Sequence, residues 1–375
     1  MIYLDNSATT RAFSAVGEAV KTALTENFFN ASSPYKKALE AEKAALSACK
    51  TVAQALNCRP DEVIFTSGGT ESDNTALFCA PAGSEIIVSA VEHHAVLNCK
   101  RALEERGCRV LFCPVDNTGK VLPDVLSDMV NENTGLVSIM HVNNECGTLN
   151  DLPALVAAVK KKNADTLFHS DGVQAFMHVC TDLKSLGVDL YSVSAHKLHG
   201  PKGIGALYIK KGIPFRPYLF GGGQQNNLRS GTLNTPGILG FAAALEQLGS
   251  SEKFSAQLRQ VKQQYLRLLT ALPDTQIIGS LENSAPNILN IAFLGIKASS
   301  LQNALEDTVI LGKGSACTSR SSKISHVLEA MGICKSTAES AVRLSFGYFN
   351  TPEEAVQAAA YIKEKVEYLR KYKRK

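Results

Sequence analysis

Ser192-Val193-Ser194-Ala195-His196-Lys197-Leu198-His199-Gly200-Pro201-Lys202-Gly203 is the stretch on which the reading of the fold turns. It continues a short apolar run, Leu190–Ser194, and passes through a Gly/Pro turn into a second run, Gly205–Ile209. Upstream, similar runs occur at Val63–Thr66, Glu85–Ser89, Arg109–Phe112, Leu136–His141 and Thr166–His169. Several are apolar on both faces, as strands buried in a sheet should be. Helical patterns such as Ala95–Arg106 and Leu152–Lys161 lie between them. The alternation predicts an α/β sheet with helices on both faces.

From Ser251 the texture changes. Phe254, Leu258, Val261, Tyr265 and Leu268 recur at helical spacing, which predicts a long amphipathic helix leaving the first domain. Strand patterns at Ile288–Phe293, Val309–Leu311 and Arg343–Phe346, with helices between, predict a small α+β unit. Thr351-Pro352-Glu353-Glu354 opens the last helix with a cap, a first-turn proline and early acids. Ala355, Ala359, Ile362, Val366 and Leu369 mark its buried stripe. The expected division is a large domain over 15–250 and a small one over 251–375, completed by residues 1–14.

Composition narrows the function. The chain has 375 residues, 45% of them hydrophobic, enough for a large core. With 39 basic and 35 acidic residues its formal charge is +4, which calls for no polyanion, so no direct nucleic-acid partner is expected. The basic run from Lys363 to Lys375 reads as a solvated last turn and tail. No run of eighteen apolar residues occurs, so no membrane partner is expected, and Met1–Asp5 reads as a strand and not as a signal peptide. The ten cysteines are irregularly spaced and include no Cys-x-x-Cys pair, which suits reduced thiols in a cytoplasmic protein with no metal site.

Four segments carry candidate chemistry. A lysine at a strand end, as Lys197 is, can be held desolvated and partly neutral, as a Schiff base requires; taken alone, the commoner case is a solvated loop lysine. Thr66-Ser67-Gly68-Gly69-Thr70-Glu71-Ser72-Asp73 runs from a strand into a helical stretch and could cradle a phosphate on backbone N–H groups. A polar turn capped by Ser67 or Thr70 fits the same residues. Asp171, just past a strand in Phe168-His169-Ser170-Asp171-Gly172-Val173-Gln174, could pair with a protonated heterocycle or simply cap the next turn. His93 could stack on a flat ring and pass protons, or start a helix.

With these segments in place, the chain resembles the cysteine desulfurases, fold-type-I pyridoxal-phosphate enzymes of the class V aminotransferase group. It is most similar to the subgroup with a long cysteine loop. The resemblance also rests on Tyr3-Leu4-Asp5-Asn6-Ser7-Ala8-Thr9-Thr10, Met140-His141-Val142-Asn143-Asn144-Glu145, Arg229-Ser230-Gly231-Thr232 and Gly314-Ser315-Ala316-Cys317-Thr318-Ser319. It implies a mixed, mostly parallel seven-stranded sheet between helices, and pyridoxal 5'-phosphate as cofactor. It implies that Lys197 holds the cofactor, that Asp171 pairs with the pyridine nitrogen and that His93 stacks on the ring and relays protons. Gln174 and Asn144 would contact the phenolic side, with Gly69, Thr70, Ser194 and His196 on the phosphate. Thr232 would reach the phosphate site of a second subunit in a homodimer. Arg343, with Asn144, would bind the substrate carboxylate.

By the same resemblance Cys317 accepts sulfur from L-cysteine as a persulfide, leaving alanine. Its small, polar, glycine-containing surroundings suit an exposed reactive thiol, and equally a tolerated surface one. The other cysteines read as core fillers, except Cys146, which directly follows Asn144-Glu145. Sulfur would pass to a transient acceptor protein: a cluster-assembly scaffold, a carrier or a tRNA-modifying enzyme. Selenocysteine lyase, another β-lyase or an aminotransferase are the enzyme alternatives, and a non-catalytic dimeric partner is the alternative outside enzymes. No Gly-x-Gly-x-x-Gly follows the first strand, which sets a nicotinamide dehydrogenase aside.

The sequence departs from the family pattern at three places. Asn30-Ala31-Ser32-Ser33-Pro34-Tyr35 stands where Asn-Pro-Ser-Ser is usual, Gln224-Gln225 has glutamine where glutamate is common, and Lys313 replaces a small residue near the nucleophile.

Overall fold

A computed structural model describes residues 1–313 and 324–373. Among the described residues, twelve strands form two sheets. The larger has seven: β2 (Val63–Thr66), β3 (Glu85–Ser89), β4 (Arg109–Cys113), β5 (Thr134–Ser138), β6 (Leu167–Asp171), β7 (Leu190–Ser194) and β8 (Gly205–Ile209), in the spatial order β2-β8-β7-β6-β5-β3-β4. Neighbours from β7 through β4 are parallel, and β8 runs antiparallel to both β7 and β2. The sheet is therefore mixed and mostly parallel. β2, β6, β7 and β8 are buried along their whole length, which is why β2 and β8 read as apolar runs and not as alternations.

The second sheet contains β1 (Ile2–Leu4), β9 (Thr275–Ile278), β10 (Ile288–Phe293), β11 (Val309–Lys313) and β12 (Ala341–Ser345), in the order β1-β11-β12-β10-β9. The N-terminal strand pairs parallel with β11, Ile2 opposite Val309, some three hundred positions along the chain. The Ser251–Leu269 helix starts on Ser250, whose Oγ accepts the Lys253 N–H at 3.4 Å, and buries Phe254, Leu258, Val261 and Tyr265. The Pro352–Lys373 helix is capped by Thr351 Oγ1 on the Glu354 N–H at 3.2 Å. Ala355, Ala359, Ile362 and Val366 are buried as their spacing predicts, and Leu369, expected in the same stripe, is half-buried.

Two expectations are corrected, and one strand was not foreseen. The helix expected over Ala95–Arg106 is two short ones, His94–Leu97 and Lys100–Glu104. The break has a local cause: the Ala95 carbonyl is taken by the Asn74 side chain at 2.9 Å, and Cys99 N closes a tight turn on Val96 O. The run Leu136–His141 is regular strand only to Ser138. The Met140 N–H turns to the Glu92 carboxyl at 2.7 Å, while Ile139 N and His141 N still donate to the His169 and Asp171 carbonyls of β6 at 3.1 and 2.9 Å. β9 carried no sequence signal, being a half-exposed edge strand without apolar continuity. Among the described residues no helix is long and apolar enough to cross a membrane.

Candidate active site

The ends of β2, β6 and β7 converge because β8 lies between two of them. Gly205 pairs with Thr66 on one side and with Ser194 on the other. A side chain at Gly205 would place its Cβ 2.6 Å from Val193 O and 2.8 Å from Gly68 Cα, so the turn after β2 and the end of β7 close over a bare backbone. Beyond Thr66, the chain turns at Gly68 (φ 150°) into the Gly69–Leu77 helix. Gly69 packs against the segment after β6: a Cβ there would come within 2.7 Å of Val173 Cγ2.

These ends enclose a cavity of about 240 Å³ lined by Gly69, Thr70, His93, Asn144, Asp171, Gln174, Ser194, His196 and Lys197. Every cofactor-binding candidate from the sequence is in that set except Thr232, which is exposed on the segment before the Thr235–Leu248 helix. Two larger grooves, of about 580 and 380 Å³, lie elsewhere and have no lysine in their walls. Convergent chemistry, and not size, singles out the smaller cavity.

Lys197 follows β7 on a single 3-10 turn, Ala195–Lys197. Its Nζ donates to Ser7 O at 2.5 Å and to Ala8 O at 2.9 Å. The N-terminal segment thus runs from the second sheet, where Asp5 bridges to Ser345, directly onto the lysine. Thr10 holds the same turn, donating to His196 O at 2.9 Å and accepting the His199 N–H at 2.7 Å.

Asp171 is the last residue of β6 and is buried; its Oδ1 accepts the Val173 N–H at 2.9 Å. Burial pushes its carboxyl up to about 6, against the opposing pull of that bond and of Lys197. His93 caps the His94–Leu97 helix, with Nδ1 accepting the Ala95 N–H at 3.1 Å. Burial, with Lys197 and His94 adding to it, lowers the ring to about 4. The ring is therefore neutral at pH 7, and with Nδ1 used as acceptor its proton sits on Nε2. His196 is likewise lowered to about 4 by burial and the nearby Lys197 and Lys202, and its Nδ1 meets Thr9 Oγ1 at 3.2 Å. Gln174 donates to Ser7 O at 2.9 Å, while its buried Oε1 has no partner.

Asp73 also lines the cavity, and sequence reading passed over it. Its carboxyl is buried, with Oδ1 accepting no hydrogen bond and lying 3.7 Å from His169 Nε2, and burial together with Asp171 holds it well above the usual carboxylate range. The signal was present: Asp73 lies four residues after Gly69, on the same helix face.

Arg343, on β12, does not line the cavity. Its buried guanidinium donates to Asp5 Oδ1 at 2.7 Å and to the Asn144 carbonyl at 2.8 Å, and Nε has no partner. Cys317 and the side chain of Lys313 lie outside the described residues. The chain on the far side of that segment is anchored beside the cavity. Ser325 donates to the buried Glu145 carboxyl at 2.5 Å, and His326 Nε2 meets Glu92 O at 2.9 Å. Glu145 and Glu92 are the immediate neighbours of Asn144 and His93. Burial pushes the Glu145 carboxyl up to about 7, against the Ser325 bond and Arg343. Cys146 is an ordinary core thiol. It is buried against Asn143 Oδ1 at 3.3 Å and Thr148 Oγ1 at 3.2 Å, and burial raises its pKa.

Residues 2–358 match the Aminotransferase class-V family. The cysteine desulfurase IscS of Dictyoglomus turgidum is 38% identical over 98% of this chain and 95% of its own length. That of Methanosarcina thermophila is 40% identical over 98% and 93%. The chain belongs to the cysteine desulfurase family within aminotransferase class V. Among solved structures a NifS-like protein superposes with a TM-score of 0.91 at 37% identity, covering 98% of this chain and all of that one. SspA in complex with cysteine gives 0.82 at 29% identity, over 92% and 99%.

The cysteine desulfurases and their class are pyridoxal-phosphate enzymes, and the cavity suits that group. Its walls hold a turn opening a helix and the residues Thr70 and Ser194, whose N–H and hydroxyl groups suit a phosphate. The same walls hold the buried Asp171 carboxyl, the unpartnered Gln174 amide oxygen and the Lys197 amine.

Proposed function

We propose that the protein is a cysteine desulfurase that converts L-cysteine to L-alanine and retains the sulfur on Cys317 as a persulfide. The observation that supports this most is the meeting of Lys197, Asp171, His93 and Gly69-Thr70 in one cavity. Beside it, Ser325 and His326 moor the chain that leads from Cys317.

Pyridoxal phosphate, when bound, supplies an electron sink for charge that develops on the substrate's α-carbon. The protein does the rest. Gly69, Thr70, Ser194 and His196 would hold the phosphate, and Asp171 would keep the proton on the ring nitrogen. Lys197 Nζ, released from the Ser7 and Ala8 carbonyls, takes the α-proton and returns it. Neutral His93, with its proton on Nε2, is the relay for protons to and from the substrate. The Cys317 thiolate forms a new S–S bond as the substrate Cβ–S bond breaks, and the electron pair from that bond stays with the carbon skeleton, which is protonated to alanine. For Arg343 to bind the substrate carboxylate, its fork must open from Asp5, leaving Nε available meanwhile.

The working unit in this reading is a homodimer in which Thr232 contributes to the partner's phosphate site. Leu24, Phe28, Leu46 and Phe220 support it: all are large apolar side chains more than half exposed in the single chain. The cofactor domain would span 15–250 and the small domain 251–375 with 1–14. A transient acceptor protein in the cytoplasm would take the sulfur for cluster assembly or tRNA thiolation. The test is to incubate purified protein with L-cysteine and measure alanine. Lys197→Ala should abolish both turnover and the cofactor's visible absorbance band, whereas retention of the band and of turnover would refute the assignment.

A further inference from the structure

The segment from Gly221 to Thr232 is fastened at two points to the strand and the helix that flank the phosphate turn. Gln225 begins three successive residues of positive φ (50°, 57° and 63° through Asn227), and its amide pairs with the edge strand β2. Phe65 N donates to Oε1 at 2.6 Å and Nε2 donates to Phe65 O at 2.9 Å. The second point is ionic. Arg229 Nε donates to Glu71 Oε1 at 2.8 Å and Nη2 to Oε2 at 3.1 Å, both side chains being largely buried. Glu71 Oε2 also accepts the Ser67 N–H at 2.8 Å.

Glu71 is the third residue of the helix whose first two, Gly69 and Thr70, line the cavity. Burial pushes its carboxyl up, but the bonds from Arg229 and Ser67 outweigh burial and keep it ionised. A full negative charge in the first turn opposes the partial positive charge that suits this helix end to a phosphate. The fork of Arg229 cancels it. We infer that Arg229 is a positioning residue for the cofactor phosphate that acts through Glu71: it holds the carboxylate on Ser67 N–H and neutralises it, so that the Ser67–Thr70 turn can accept a dianion. The inference rests on the reading that this turn holds the phosphate, and extends it to a residue that does not line the cavity.

The experiment uses full-length protein stripped of cofactor and titrated with pyridoxal 5'-phosphate and, separately, with pyridoxal, with folding followed by thermal melting. Arg229→Met should weaken the phosphate form on the order of tenfold and leave pyridoxal within about twofold of wild type. Glu71→Gln alone should bind near wild type, because an amide oxygen still accepts the Ser67 N–H. Combined with Arg229→Met it should recover most of the loss. Equal weakening of both ligands, or a double variant no better than Arg229→Met, would show a mere tether and overturn the inference. Arg229→Lys keeps the charge without the fork and should fall between wild type and Arg229→Met; a loss as large as the Met variant's counts against neutralisation. Wild-type protein that binds pyridoxal as tightly as its phosphate would instead refute the placement of the phosphate.

Discussion

A methyl group added at Gly69 tests the cavity's architecture more sharply than removal of a functional group. The backbone at Gly69 has no positive φ, so alanine fits it locally and even favours the helix. The obstacle is Val173, whose Cγ2 lies 2.7 Å from the position the new Cβ would take, with Ser194 Cβ at 3.8 Å. Carbon atoms pack comfortably at about 3.5–4 Å, so turn and valine must separate by roughly 1 Å. Overpacking of that kind costs about 1–3 kcal/mol, and the turn moves away from the other phosphate donors as it yields. Gly69→Ala should therefore weaken cofactor binding about 10- to 100-fold, with a lowered melting temperature. Because the clash is with the tip of a side chain, Val173→Ala should restore affinity in the double variant. Titration of cofactor into apoprotein, read by absorbance, measures both. Wild-type affinity in Gly69→Ala, or no rescue by Val173→Ala, would refute the close approach on which the phosphate site depends.

Asp171→Asn keeps an acceptor for the Val173 N–H but loses the charge, and should leave the fold intact while lowering turnover on the order of a hundredfold or more; a variant with wild-type rate would remove Asp171 from the site. Glu145 should make stability depend on pH. Its folded carboxyl is raised from 4.5 to about 7, so the stability it confers is complete below 4.5 and is lost as pH rises through 7. The loss is on the order of 3 kcal/mol. Glu145→Gln should flatten that slope in denaturant melts between about pH 5 and 8, and parallel curves for the two proteins would contradict the assignment.

Much of this was legible in the sequence because the residues concerned sit at strand ends. β2, β7 and β8 match their expected runs residue for residue, and β6 starts one position and ends two positions later than expected. With the strands placed, Lys197, Asp171 and the Ser67–Thr70 turn had to share one edge of the sheet. Contacts set by distant parts of the chain left no local trace. The Ser7 and Ala8 carbonyls on Lys197, the Asp5–Arg343 pair and the Ser325–Glu145 bond each join segments some 180 or more residues apart. Asp73 was hidden differently: a carboxylate in a helix reads as solvated, and only burial beside Asp171 marks it out. Gln225 stood out as a departure, and the structure supplies its use. An amide can serve both the N–H and the carbonyl of Phe65, where an ionised carboxylate could only accept.

The central claim is that one amine and one thiol act on the same molecule of L-cysteine. A single turnover in the absence of added thiol, with alanine quantified and the bound sulfur located by peptide mass spectrometry, tests it most directly. Alanine should appear in equal amount to persulfide on the peptide carrying Cys317, and Cys317→Ala protein should retain its cofactor but form neither product. Undiminished alanine from Cys317→Ala, or sulfur found instead on the exposed Cys334, would contradict it.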